Sequence, residues 1–103
     1  MSVINAGNSG DTTAAGLARV DWSLAGKPDA VIVELGANDA LRGIDPAQTR
    51  ANLEEILLRI RNQGLPLLLA GMRAPRNLGR DYTQAFDRIF PELAEQLLSL
   101  IHI

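Results

Sequence analysis

Residues 30–43, AVIVELGANDALRG, decide the fold of this 103-residue chain. The run AVIVEL at 30–35 is too short for a helix and rich in branched apolar side chains, so it predicts a buried β-strand. The strand pattern breaks at Gly36, and the polar residues Asn38 and Asp39 follow it closely. Two polar side chains are therefore expected at the carboxyl end of a strand, where α/β sheets bind their ligands.

Two further apolar runs, SVIN at 2–5 and PLLLAGM at 66–72, have the same character and predict two more strands. Helical patterns fill the intervening and following stretches, at about 13–25, at 46–63 and from Asp81 onward. Strands that alternate with helices indicate right-handed βαβ crossovers and a parallel sheet covered on both faces. The sequence thus predicts one α/β domain with the element order β-α-β-α-β-α.

The helix at 46–63 has the clearest pattern. Asp45 can accept hydrogen bonds from its free amides, and Pro46 suits its first position. Its apolar residues repeat at i, i+3, i+4 and i+7, which forms one stripe along the helix. These residues are Leu53, Ile56, Leu57 and Ile60.

Composition excludes several classes of protein. An apolar content of 47% and a charged content of 21% are ordinary for a globular protein, and a net charge of −2 provides no footprint for nucleic acid. The absence of cysteine excludes disulfides and thiolate chemistry. No apolar run approaches the ~20 residues that span a bilayer, and no signal peptide is recognisable at the start, so the pattern favours a soluble chain of unknown compartment.

Segments rich in Gly, Asn, Asp and Arg follow each predicted strand, at 6–13, 36–43 and 73–82. In the first, Gly7 and Gly10 bracket a turn that leads into a helix, which suits either an anion or only a tight connection. The lysine of a phosphate-binding loop is absent, and Asp11 opposes a bound phosphate.

Asn38 has two interpretations. Its side chain could hydrogen-bond local backbone in an Asx-type turn, with Asp39 capping the segment after it. Alternatively, its amide could donate to an oxyanion beside the Gly10 N–H, because an amide donor does not titrate.

Two other residues invite catalytic interpretations that the pattern does not favour. Ser9 lies in GNSGD, which departs from the G-x-S-x-G elbow at Asp11. His102 is the penultimate residue of the chain and has no acid three residues earlier. Both are interpreted as residues without a catalytic role.

Three longer stretches carry a family resemblance. INAGNSGDTTAAGLARVDW, VIVELGANDALRGIDPAQTRANLEEIL and LLLAGMRAPRNLGRDYTQAFDRIFPELA resemble, in order and spacing, the SGNH hydrolases or GDSL-type esterases and lipases. The thioesterase, arylesterase and lysophospholipase branch is the most similar. The resemblance covers about 3–97 and rests on S-G-D-T, G-x-N-D-x-L-R-G and M-R-x-P-x-N-x-G occurring together.

The resemblance implies a flavodoxin-like, three-layer α/β/α fold and hydrolysis of a small acyl ester or thioester through an acyl-serine, without metal or cofactor. Gly10 and Asn38 match the two oxyanion-hole donors of the family. Two acyl-binding loops match 40–44 and 73–80, and their candidate substrate-binding residues are Ala40, Leu41, Arg42, Ile44, Arg73, Pro75 and Asn77.

Departures from the family define the expected status of the chain. In the family a G-D-S block with the nucleophile lies upstream and a D-x-x-H block with the base lies downstream, and no serine or histidine here matches either. The expectation is therefore an inactive fragment, one partial domain over 1–103 with 98–103 as a tail foreign to the family. Parent proteins of this kind are often periplasmic or secreted. The alternative is a non-catalytic α/β module that binds a small anion at its Gly-rich rim.

The resemblance also has a consequence for the order of the strands in the sheet. In the order 2-1-3-4-5 the first strand separates the second from the third, and the resemblance implies that this chain lacks it. Strands 2–5 and 30–35 are then expected either to pair directly or to leave a gap. Strands 30–35 and 66–71 are expected to stay paired in parallel.

Overall fold

Strands and helices alternate along the computed structural model, which describes residues 2–7 and 10–97. The elements are β1 (Val3–Asn5), α1 (Thr13–Ala25), β2 (Ala30–Val33), α2 (Ala37–Leu41), α3 (Pro46–Asn62), β3 (Leu67–Leu69), a 3₁₀ turn (Arg76–Leu78), α4 (Arg80–Asp87) and α5 (Ile89–Leu97). The predicted α/β class with a short parallel sheet is confirmed.

The strands lie in the order β1-β2-β3, and both pairs are parallel. Val31 lies opposite Ile4 on one side and Leu67 on the other. Of the two outcomes expected for strands 2–5 and 30–35, direct pairing is the one observed, and the pairing of β2 with β3 is confirmed. The N–H of Ala6 extends the first ladder by donating to the Ile32 carbonyl (2.8 Å).

The sheet is shorter than its apolar runs suggest. β2 ends at Val33, although the run continues to Leu35, which is buried with 2% of its surface exposed. A parallel ladder continues only while its neighbours continue, and β1 ends at Asn5. Leu35 therefore contributes to the core without belonging to the sheet.

The predicted helix starts are observed. Asp45 caps α3 by accepting from the Ala47 N–H (2.9 Å), and Pro46 occupies the first turn. Thr12 caps α1 by accepting from the Ala15 N–H (3.2 Å).

The helix expected from Asp81 onward is divided in two at Arg88. Pro91 explains the break, because it has no N–H to donate to the carbonyl four residues earlier and its ring clashes with that carbonyl. The same proline is tolerated where it lies, in the first turn of α5.

One face of the sheet forms the core. Both crossovers run in the same direction across the sheet, so right-handed connections place α1 and α3 on the same side, where they pack against each other. α5 packs on α3 beside them. The sheet residues buried in this core are Val31, Val33, Leu67 and Leu69. The opposite face carries Ile32 and Leu68, which are half-buried and outside the main core, so the described helices cover one face where the pattern predicts two.

No helix in the described ranges is long and apolar enough to cross a membrane.

Gly36 links β2 to the short helix α2, and its backbone has φ 121°, a conformation that side chains disfavour. A Cβ at this position would lie 2.9 Å from Cζ of Phe90, which is buried against Phe86. The glycine is therefore required both by the turn and by the packing of α5.

We expect Gly36→Ala to lower the free energy of unfolding by about 2–4 kcal/mol, because backbone strain and overpacking add. Gly43→Ala is the matched control: its φ is 66°, but an added Cβ meets nothing within 4 Å. Strain alone should cost that variant about 1 kcal/mol. Urea unfolding of both measures the difference, and equal losses would show that the contact with Phe90 is unimportant.

Candidate functional site

A cavity of about 290 Å³ opens at the carboxyl end of the sheet. The segment after β1 contributes Gly7 and Gly10, and the segment after β2 contributes Gly36 and Asn38. Met72, after β3, completes the rim. The two predicted oxyanion donors therefore lie on one cavity, although they are 28 residues apart in the sequence.

Gly10 is exposed and has φ 86°, so a glycine is required there whether or not its N–H has a function. It lies two residues before Thr12, the cap of α1, and the backbone N–H groups and dipole at a helix start favour negative charge. The turn thus provides a donor without a side chain that would obstruct the approach of a ligand.

Asn38 lies in the first turn of α2 and is half-buried. Its backbone carbonyl accepts from the Arg42 N–H (3.0 Å). Within 2–7 and 10–97 its side-chain amide makes no hydrogen bond, whereas an Asx-type turn requires one to local backbone. The amide is therefore available to a ligand in the cavity.

Two carboxylates border the same cavity. Glu34 accepts from the Asn5 side-chain amide (2.6 Å), whose oxygen in turn accepts from the Gly7 N–H (2.9 Å). Asp11 forms an ion pair with Arg19. Arg19 offsets the charge of Asp11, whereas Glu34 has no ion pair within the described residues, so its charge is unfavourable to a permanent anion beside the donors.

A buried polar cluster lies directly behind Asn38, and the sequence pattern did not identify it. The Asp39 carboxylate is 1% exposed and accepts from the N–H of Thr13 (2.7 Å), from the Thr13 hydroxyl (2.5 Å) and from the Thr49 hydroxyl (2.8 Å). The Asn52 side-chain amide donates to the Thr13 hydroxyl (3.1 Å). A signal was present in the sequence, since Thr49 and Asn52 continue the apolar stripe of α3.

Tyr82 of α4 ties this region to the segment after α2. Its hydroxyl donates to the Ile44 carbonyl (2.5 Å) and lies 3.4 Å from the Asp39 carbonyl. Burial raises the pKa of the Tyr82 hydroxyl above its usual 10.0, and the charges of Asp39 and Asp45 raise it further.

The first candidate acyl-binding loop has mixed exposure. Leu41 is 68% exposed, Arg42 is exposed and Ile44 is half-buried. Ala40 belongs to the core and is 1% exposed, so its methyl group supports the loop from below.

The second candidate loop is held against α4. Asp87 accepts from the Ala74 N–H (2.8 Å) and from Arg76 (2.5 Å). Arg73 and Asn77 are exposed and Pro75 is half-buried. Of the candidate residues in the two loops, none lines the cavity shared by Gly10 and Asn38 in the part of the chain that the structure describes.

Ser9, His102 and the predicted tail 98–103 lie outside the described residues. Among the residues described, no group of three or more His, Asp or Glu side chains could hold a metal ion.

Comparison with known proteins gives consistent matches. The model of the GDSL-like lipase/acylhydrolase family matches residues 1–101. Esterase TesA of Pseudomonas aeruginosa is 46% identical over 95 residues, which are 91% of this chain and 47% of the esterase. Thioesterase 1/protease 1/lysophospholipase L1 of Escherichia coli is 46% identical over 92% of this chain and 46% of its own length.

The crystal structure of AlinE4, an SGNH-hydrolase family esterase, superposes with a TM-score of 0.87 at 50% sequence identity. The match covers 92% of this chain and 51% of AlinE4. The chain thus spans about half the length of the relatives it matches.

Tyr82 gives a prediction about pH. A pKa that is higher in the folded than in the unfolded chain means that the hydroxyl stabilises the fold fully below pH 10.0, and that this contribution is lost as pH rises through the folded value. Tyr82→Phe should cost about 0.5–1.5 kcal/mol at neutral pH, through loss of the bond to Ile44. The difference between the two proteins in urea unfolding should shrink above pH 10.0. A difference that stays constant through that range would contradict the assignment.

Proposed function

This chain belongs to the GDSL-like lipase/acylhydrolase family, and we propose that it supplies the oxyanion hole of an acyl-serine hydrolase acting on small esters or thioesters. The supporting observation is the cavity on which the Gly10 turn and the Asn38 side chain both lie, with the Asn38 amide unbonded within the described residues. Two donors from different loops would converge there on one ligand oxygen.

The chemistry follows from where negative charge develops. When a serine attacks an ester carbonyl, the carbonyl oxygen becomes an alkoxide-like oxygen in the tetrahedral intermediate. Donors already oriented towards that oxygen stabilise it more than they stabilise the neutral carbonyl, which lowers the barrier. The Gly10 N–H and the Asn38 amide serve this purpose without gaining or losing a proton.

On this proposal, the nucleophile and the base are supplied by residues other than these 103. No serine or histidine of the chain matches the family's G-D-S or D-x-x-H block. On this proposal the serine forms an acyl-enzyme and releases the alcohol or thiol, and water then releases the acid.

The substrate class rests on the relatives and on the two loops. The relatives carry the names esterase and thioesterase, and this chain presents apolar and cationic side chains after α2 and β3. On the proposal, the acyl chain extends beyond the cavity of Gly10 and Asn38 and contacts the apolar residues of the two loops, and the arginines and Asn77 flank it. The residues concerned are Leu41, Arg42, Ile44, Arg73, Pro75 and Asn77, with Ala40 supporting the first loop from the core.

A non-catalytic module that binds an anion fits the electrostatics less well. A bound phosphate or carboxylate would carry full charge in the ground state, close to the carboxylate of Glu34. The substrate of a hydrolase enters with a neutral reacting group, so its binding does not meet this repulsion.

The 103-residue chain alone should hydrolyse p-nitrophenyl acetate and butyrate no faster than background, because oxyanion donors without a nucleophile and base cannot form the acyl-enzyme. The release of p-nitrophenol measures this. Turnover that disappears in Ser9→Ala would show that the chain carries its own nucleophile.

A chimera tests the donors. Residues 2–97 of this chain replace the aligned segment of Pseudomonas aeruginosa Esterase TesA, and hydrolysis of p-nitrophenyl butyrate is followed. Asn38→Ala in the chimera should lower kcat by about 10² to 10³ with little change in KM, because the donor meets the oxyanion mainly in the transition state. Asn38→Asp should lower kcat further, because it places a negative charge against the oxyanion.

Asn62→Ala is the matched control for these two substitutions, since Asn62 is exposed at the end of α3. It should leave kcat unchanged. Near-full kcat in Asn38→Ala would overturn the oxyanion assignment.

A further inference from the structure

Asp39 is a buried charge that the proposed reaction does not use. Its carboxylate is 1% exposed, and no ion pair within 2–7 and 10–97 includes it. A carboxylate removed from water is costly unless hydrogen bonds replace its hydration. Thr13 and Thr49 provide three such bonds, at 2.5–2.8 Å. The hydrogen bonds from Thr13 and Thr49 therefore fix the position of the Asp39 carboxylate.

The partners belong to different elements. Thr13 is the first residue of α1, Asp39 lies in the middle of α2, and Thr49 lies in the first turn and a half of α3. The bond from the Thr13 N–H places the negative carboxylate at the start of α1, where the helix dipole stabilises it. One side chain therefore joins three helix segments at a single point.

The same point lies next to both oxyanion donors. Asp39 directly follows Asn38, and Thr13 follows Gly10 by three residues. A chain of three residues spans at most about 10 Å, so the position of Thr13 limits that of the Gly10 N–H. The main chain of Asp39 is also held, because its carbonyl accepts from the Ile44 N–H (2.9 Å).

We propose that Asp39 is a positioning residue that sets the separation between the Gly10 N–H and the Asn38 amide by binding Thr13 and Thr49. This inference rests on the proposed function, since it assumes that the two groups act together on one oxygen. Its physical basis is the steep dependence of catalysis on geometry: a displacement of about 1 Å can cost 10²-fold in rate.

Two substitutions weaken the hydrogen bonding around Asp39 without removing every bond to its side chain. Thr49→Val removes one of the three bonds to the carboxylate and keeps the shape of the side chain. Asp39→Asn removes the charge and leaves an oxygen for the Thr13 N–H. Thr49→Ser keeps the hydroxyl and should therefore match the original chain in both measurements below.

Thr83→Val is the matched control. Thr83 is also buried, at 6% exposure, and among the residues that the structure describes its hydroxyl bonds only to the Arg80 carbonyl of its own helix. The same chemical change is thus made outside the Asp39 cluster.

The first measurement is ¹⁵N relaxation of the full 103-residue chain, read at the Gly10 amide and the Asn38 side-chain amide. Thr49→Val and Asp39→Asn should lower the heteronuclear NOE at both groups, while Thr49→Ser and Thr83→Val leave it unchanged. Unchanged values in Thr49→Val and Asp39→Asn would overturn the proposal. So would loss of the fold in both variants, because the carboxylate would then be required by the whole domain.

The second measurement is kinetic, in the Esterase TesA chimera. Thr49→Val should lower kcat by about tenfold or more with KM nearly constant, because the misplaced donors matter mainly in the transition state. Thr83→Val should change neither constant. Equal losses in the two variants would show that Asp39 is only structural, whereas a full kcat in Asn38→Ala would overturn the oxyanion hole itself. The two failures are therefore distinguishable.

Discussion

The hydrogen bonds between the buried Asp39 carboxylate and the start of α1 are the constraint on which the candidate site depends. The segment after β2 contains the short helix α2, and within the described residues the ladder between β1 and β2 goes no further than the bond from the Ala6 N–H to the Ile32 carbonyl. Thr13 bonds to Asp39 through both its N–H and its hydroxyl, which brings the two segments together across 26 residues of sequence. The Thr49 hydroxyl is the third donor to this carboxylate, so separating the segments would leave a buried charge with one hydrogen bond where it now has three.

The sheet brings the segments that carry Gly10 and Asn38 to the same edge, and the bonds between Thr13 and Asp39 then hold them together. Parallel strands bring their carboxyl ends to one edge, and the direct pairing of β1 with β2 makes the segments after them neighbours. Close approach is visible at Gly7, where a Cβ would lie 2.3 Å from the Glu34 carbonyl oxygen. A larger residue at that position would have to move one loop away from the other.

Local signals predicted the elements whose cause is local. Asp45 and Pro46 mark the start of α3, and the structure places both as expected because a cap depends on a few neighbouring residues. α2 was missed, since five residues are too few to show a period. The break at Arg88 follows from Pro91, a local signal that the apolar pattern across it obscured.

Part of the candidate site could also be predicted, because its signals lie within a few neighbouring residues. The motif around Asn38 predicts an oxyanion donor, which stays a prediction, whereas a turn at Gly10 is apparent from the glycines and is observed. The contacts of Asp39 are made with partners 26 and 10 residues away, so its own surroundings in the sequence suggest only a cap. The coverage of the sheet also depends on strand order, because the direction of each crossover decides which face receives its helix.

The carboxylate of Glu34 at the cavity affects how an ester hydrolase would release its acid product. Substrate enters with a neutral carbonyl, but the acid product leaves with a full negative charge at neutral pH. Glu34 borders the cavity, and its Asn5 partner is neutral, so its charge is not compensated by that bond. Donors that stabilise a transient oxyanion would equally favour the carboxylate product, and a nearby negative charge offsets that attraction. On the proposed function, Glu34 thus favours release of the product, and the two donors must outweigh the same repulsion in the transition state.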